Sequence, residues 1–156
     1  VGREAADRVR GLIDDALTKG ATLVAGGETE GTIMQPALLD HVTPAMRIYR
    51  EESFGPVVAV VRVRSVDEAV TVANDNEYGL SSAVFGRDVN RALSVARRID
   101  AGICHVNSAT VQDEAQMPFG GMKGSGYGRF GGRAGIEEFT ELRWVTLQTS
   151  PAHYPF

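Results

Sequence analysis

The chain has 156 residues, is 43% hydrophobic and 23% charged, and carries a formal net charge of -4. That balance fits one globular domain with a core of its own and excludes the basic field that a nucleic-acid partner requires. No apolar run approaches the roughly 20 residues a bilayer-crossing helix needs, and no charged-then-apolar leader opens the chain, so no membrane partner and a cytoplasmic setting are expected.

Cys104 is the only cysteine, which rules out an internal disulfide framework and fits a reducing compartment. The chain starts on Val1 and is in helical periodicity within a few residues, the look of a piece of a longer protein. From Arg3 to Lys19, Ala5, Val9, Leu12, Ile13, Ala16 and Leu17 recur at spacings of three and four, which predicts an amphipathic helix stopped by Gly20. Ala21 to Ala25 and Met34 to Leu39 are short apolar runs expected to be strands, joined through the polar ETEG segment as a hairpin-like connection.

Val57 to Val61 is uncharged and enters through Gly55-Pro56, which predicts a strand covered on both faces in the middle of a parallel sheet. Ser65 and Glu68 have the spacing of a reciprocal capping box ahead of a helix with Ala69, Val70 and Ala73 on its inner face. Ser82 to Phe85 reads as a strand. Asp88 caps a further helix with Ala92, Leu93, Ala96 and Ile99 inward, Arg97 and Arg98 in its last turn, and Gly102 as its stop. Ile103 to Val106 reads as another strand. Strand, helix, strand, helix, strand with short connections defines an α/β fold, three-layered around a parallel sheet.

Beyond Asn107 come a polar loop, the glycine-rich FGGMKGSGYGRFGG and a helical turn over Gly135 to Phe139. Leu142 to Gln148 alternates as a strand does but finds no ladder partner in this sequence, so a partner in another chain is expected.

Chemistry is sparse in the residues themselves. Cys104 and His105 are neighbours on a strand, so their side chains point to opposite faces and cannot act together; a small buried thiol is expected. Gly126, Gly128 and Gly131 have the spacing of a dinucleotide fingerprint, but no strand leads in and no acidic residue follows at the required distance. A glycine-rich connection passing close to other backbone is expected instead. Glu51, Glu52 and Phe54 allow two readings: solvated loop charges beside a core phenylalanine, or a carboxylate that accepts from a ribose diol beside a ring that lies against a planar group. His41 and His153 read as surface histidines, and no residue set has metal-ligand spacing.

The strings EESFGPV, NEYGLSSAVF, AGICHVN and MPFGGMKGSGYGRFGG, in that order and spacing, resemble the C-terminal third of the aldehyde dehydrogenase superfamily. GICHVN, DEAQMPFGG and FTELRWVT are most similar to the branch that acts on aromatic aldehydes such as salicylaldehyde, vanillin and benzaldehyde. The resemblance implies a substrate-side catalytic domain over residues 1–140 and an oligomerisation strand with its tail over 141–156. It also implies oxidation of an aldehyde to its acid: a cysteine thiolate attacks the carbonyl, hydride leaves to NAD or NADP, and a glutamate-activated water completes hydrolysis.

Carried over residue by residue, the resemblance implies that Glu52 contacts the nicotinamide ribose and Phe54 packs near the nicotinamide. It implies Ser108, Thr110, Val111 and Phe119 as substrate-tunnel contacts. It implies a homo-oligomer joined through Leu142 to Gln148. The family's nucleophile, in a GQxC setting, and its general base, in an ELGGK setting, have no counterpart in this sequence. No catalytic residue is therefore assigned here, and the chain alone is expected to be inactive. The competing expectation is a truncated oligomerisation or interaction module without chemistry.

Overall fold

A computed structural model describes residues 2–155. The chain divides into two compact units, Val1–Val72 and Ala73–Phe156. Each is a mixture of helices and strands, in keeping with the expected α/β class.

In the first unit, α1 (Arg3–Thr18) buries Ala6, Val9, Leu12, Ile13 and Ala16 on one face. It stops where the sequence places Gly20, which takes φ 99°. The Gly20 amide donates to Leu17 O at 3.1 Å and the Ala21 amide to Ala16 O at 2.9 Å, the paired bonds that close a helix through a left-handed glycine. β1 (Thr22–Ala25) runs antiparallel to β4 (Ala37–Asp40), and between them β2 (Thr29–Glu30) and β3 (Ile33–Met34) form a small hairpin. β5 (Val57–Ala59) then joins β4 in parallel, with Ala37 opposite Val57 and Leu39 opposite Ala59.

The sheet order is β1-β4-β5, which corrects the expected setting of the valine run. β4 is the central strand, with Ala37 and Leu39 buried, while β5 has one ladder neighbour among the described residues and leaves Val58 60% exposed. An apolar run marks a strand but does not say how many neighbours it has. The core gathers Val9, Leu12, Ile13 and Ala16 of α1 against Ala37 and Leu39 of β4 and against Val42, Met46 and Ile48 of the β4–β5 crossover.

α2 (Val66–Asn74) opens on the expected box with one change. The Glu68 amide donates to Ser65 Oγ at 3.1 Å, but the Glu68 carboxylate accepts from the Arg64 amide at 2.6 Å, one residue earlier than expected. The unit boundary falls within this helix.

In the second unit, β7 (Ser81–Val84) and β8 (Ile103–Val106) pair in parallel across α3 (Val89–Ala96), as expected. Asp88 caps α3 by accepting from the Arg91 amide at 3.0 Å. The helix ends at Ala96, so Arg97 is its C-cap and not part of its last turn. β7 and β8 form their own two-stranded sheet, separate from the ladder of β5, so the expected single sheet through all three strands is not formed among the described residues.

β2 already falls within the ETEG segment expected to be a connection, and two further short strands were not anticipated. β6 (Tyr78–Gly79) pairs antiparallel with β9 (Met122–Lys123), and Lys123 reaches back to donate to Asn74 O at 2.9 Å. The glycine-rich segment passes close to backbone, as expected. A Cβ on Gly131 would stand 2.2 Å from Met117 O, and one on Gly132 would stand 2.4 Å from Gln116 O. α4 (Gly132–Glu138) follows, and beyond it residues 142–148 form no strand and join no ladder among the described residues.

Candidate cofactor and substrate sites

In the first unit the candidate residues lie on the loop that feeds β5, and α1 holds that loop from several sides. The Arg47 amide at the start of a short 3-10 helix (Arg47–Tyr49) donates to Asp15 Oδ2 of α1 at 2.9 Å. Arg47 in turn grips both oxygens of Glu51, at 2.7 and 2.9 Å. That guanidinium holds the Glu51 carboxyl below its ordinary range. Further along, Arg8 of α1 donates from Nη1 to Glu52 O at 2.9 Å and from Nη2 to Ser53 O. Gly55 packs on Val9 so closely that a Cβ there would lie 2.5 Å from Val9 Cγ2.

These contacts separate the two glutamates. Glu51 is spent on Arg47, whereas the exposed Glu52 carboxylate has no hydrogen-bond or ion-pair partner among the described residues. Phe54 stands 79% exposed with φ 42°, a left-handed conformation uncommon for a bulky residue. The core reading of Phe54 is thereby overturned. An unengaged carboxylate two positions before an outward-facing ring fits a ribose diol and a planar heterocycle. Phe54 also borders a cavity of about 330 Å³, shared with Ala5, Val9, Ile33, Met34 and Pro56.

In the second unit a cavity of about 400 Å³ runs between residues Gly102 to His105 and the loop from Gln112 to Phe119. Of the four expected substrate contacts, Phe119 lines this cavity, held by reciprocal bonds of 2.7 and 2.8 Å with Phe130. Ser108 is linked to it indirectly, donating from Oγ to Gln112 Oε1 at 2.5 Å. Thr110 is not on its wall; its carbonyl accepts from Ser81 Oγ at 2.9 Å. Val111 is 94% exposed and also off the wall. The structure therefore brings Phe119 and Ser108 to one place and leaves Thr110 and Val111 on the outer side of the loop.

Cys104 is half-buried and lines this cavity, which corrects the expectation of a core thiol. Among the described residues β8 has a ladder partner on one side only. His105 Nε2 is buried without a hydrogen-bond partner among the described residues. His41 and His153 are exposed, as expected. Among the described residues no group of three or more His, Cys, Asp or Glu could hold a metal ion, and no helix is long and apolar enough to cross a membrane.

The sequence pattern of the Aldehyde dehydrogenase family matches residues 1–145. The chain belongs to that family. Vanillin dehydrogenase of Pseudomonas fluorescens is 60% identical over 155 residues, which is 99% of this chain and 32% of the relative. The crystal structure of a salicylaldehyde dehydrogenase from Pseudomonas putida G7 complexed with salicylaldehyde superposes with TM-score 0.90 at 52% identity, over 99% of this chain and 32% of that one. A Mycobacterium tuberculosis aldehyde dehydrogenase complexed with NAD+ superposes with TM-score 0.86 at 34% identity, over 97% of this chain and 32% of that one. The chain thus spans about a third of the length of the relatives it matches.

Proposed function

We propose that this chain is the C-terminal, substrate-side part of an NAD- or NADP-dependent dehydrogenase that oxidises aromatic aldehydes to carboxylic acids. The observation that carries the cofactor half is the division of labour between the glutamates: Arg47 neutralises Glu51, and Glu52 is left to accept hydrogen bonds beside the displayed face of Phe54. The likeness to vanillin and salicylaldehyde dehydrogenases supports the aromatic aldehyde.

NAD or NADP, when bound, supplies the hydride acceptor. Glu52 holds the ribose diol and Phe54 stacks against the nicotinamide, so the chain's part is to bind and orient. Phe119 offers an aromatic wall to the substrate ring, Ser108 fixes Gln112 beside it, and Thr110 and Val111 shape the outer part of the loop. Residues 1–140 form this catalytic part, and residues 141–156 are an oligomerisation tail whose 142–148 stretch becomes a strand only on pairing with a second copy. Leu142 and Trp144 are 103% and 90% exposed on an unladdered segment, which supports pairing with a second copy of the chain. The lone thiol fits a reducing, cytoplasmic setting.

On this reading no attacking thiolate or general base is assigned among the 156 residues, and the chain alone is expected not to turn over. The test supplies the purified chain with NAD+ and vanillin and, separately, titrates it with NAD+ while following backbone resonances. No reduced nicotinamide should form, and the resonances of Glu52 and Phe54 should move on binding, less so in Glu52→Gln. Turnover by the isolated chain, or NAD+ binding that leaves both residues untouched, overturns the reading.

A further inference from the structure

We infer that Arg8 is a positioning residue for cofactor binding: its guanidinium holds the backbone of Glu52 and Ser53 so that the Glu52 carboxylate and the Phe54 ring are presented together. The inference rests on the cofactor reading of those two residues given above. Arg8 is exposed and forms no ion pair among the described residues, yet two of its nitrogens are committed to the carbonyls of consecutive residues 44 and 45 positions away in sequence. A fork of two parallel donors fixes direction as well as distance, which a single ammonium does not.

What that grip holds in place is the unusual part of the loop. Phe54 follows directly, with a left-handed φ of 42° that a phenylalanine adopts only when its surroundings dictate it. The residue after it, Gly55, has no room for a side chain because Val9 of α1 lies against it. Arg8 and Val9 are consecutive on α1, so one turn of helix sets the loop on both sides of Phe54: by hydrogen bonds before it and by close packing after it. The Glu51 side chain is independently fixed by Arg47, which leaves the Arg8 contacts as those that govern where Glu52 and Phe54 begin.

The experiment compares the wild-type chain with Arg8→Lys and Arg8→Gln, measuring NAD+ affinity by titration, thermal midpoint by circular dichroism, and the amide resonances of Ser53 and Phe54. Loss of the fork is expected to weaken NAD+ about fivefold, the size of a lost pair of polar contacts, in both variants. The Ser53 and Phe54 resonances should shift in the absence of ligand while the thermal midpoint stays near that of the wild type. A purely structural Arg8 would instead lower the midpoint and leave the affinity of the folded protein unchanged; that result overturns the inference, as does unchanged affinity with unchanged midpoint. Because the wild type is titrated alongside, the two ideas fail separately. NAD+ binding that moves Glu52 and Phe54 in the wild type and equally in Arg8→Lys sinks the Arg8 role alone. Wild-type NAD+ binding that moves neither residue sinks the cofactor reading and the Arg8 role with it.

Discussion

The two units of this chain are held together by different means. In the first, α1 and β4 enclose a core whose largest fully buried side chains are Leu12 and Leu39. In the second, the buried hydrophobic residues among those described are two alanines, Ala92 and Ala96, while Phe85 is 70% and Phe130 is 62% exposed. The second unit relies on backbone fitted against backbone: a Cβ on Gly102 would lie 1.8 Å from Gly120 O, and one on Gly79 would lie 2.4 Å from Asp100 O. Apolar burial supports a fold roughly in proportion to the area removed from water, whereas close backbone contact specifies geometry and contributes little burial. The first unit should therefore be the more stable, and the second the more sensitive to added atoms.

Truncating the core gives the largest expected effect. Leu12→Ala leaves a cavity at a fully buried site and should cost about 2–5 kcal/mol in urea unfolding followed on first-unit resonances. Phe85→Ala in the second unit removes a larger side chain, but one that is 70% exposed, and should stay within about 0.5 kcal/mol. If the two costs came out alike, the contrast in how the units are held would be wrong.

Adding a single methyl group should reverse the order of sensitivity. Gly102→Ala forces a Cβ into Gly120 O, and an overpacked site of this kind costs about 1–3 kcal/mol, read as lost hydrogen-exchange protection in β7 and β8. Gly11→Ala in α1 meets nothing within 4 Å and should stabilise the first unit by about 0.5–1 kcal/mol, since alanine is the better helix former. Gly102→Ala leaving that protection intact would refute the backbone-fitting account of the second unit.

The same contrast explains what was legible in the sequence. α1 and its glycine stop, the capped α3 and the β7–β8 pair follow from local spacing and short connections, and all of them form. The valine run announced a strand but not its place in the sheet, because the number of ladder neighbours is decided by segments far away in the chain. The β6–β9 pair escaped notice because two residues on each side carry no periodicity. Glu68 was read as bonding the cap residue and bonds the amide before it, a one-residue difference that local spacing does not resolve. At the candidate site, the motif resemblance singled out Glu52 and Phe54 from a pair of glutamates that composition could not tell apart. Arg8 was invisible because its partners are carbonyls, which every residue has, lying more than forty positions away.

The smallest effect separates the units by charge. Asp40 at the end of β4 accepts from Arg62 Nε and Nη2, with the shortest contact at 2.5 Å, and its amide neighbour His41 donates to it at 2.7 Å. The Arg62 guanidinium, followed by the His41 amide, lowers the Asp40 carboxyl to about 2 against the opposing effect of burial. A carboxyl held below its unfolded value stabilises the fold above that value, near 4, and this contribution disappears as pH falls toward about 2. Between those limits, amides of β1 and β4 should lose protection while those of β7 and β8, whose ladder holds no such carboxylate, keep theirs. Arg62→Met should shift the onset of that loss to higher pH. Added salt should reduce the difference between variant and wild type, since Arg62 is 66% exposed. Equal acid sensitivity in both sheets would mean that Asp40 does not distinguish the first unit and that the loss has a cause common to the whole chain.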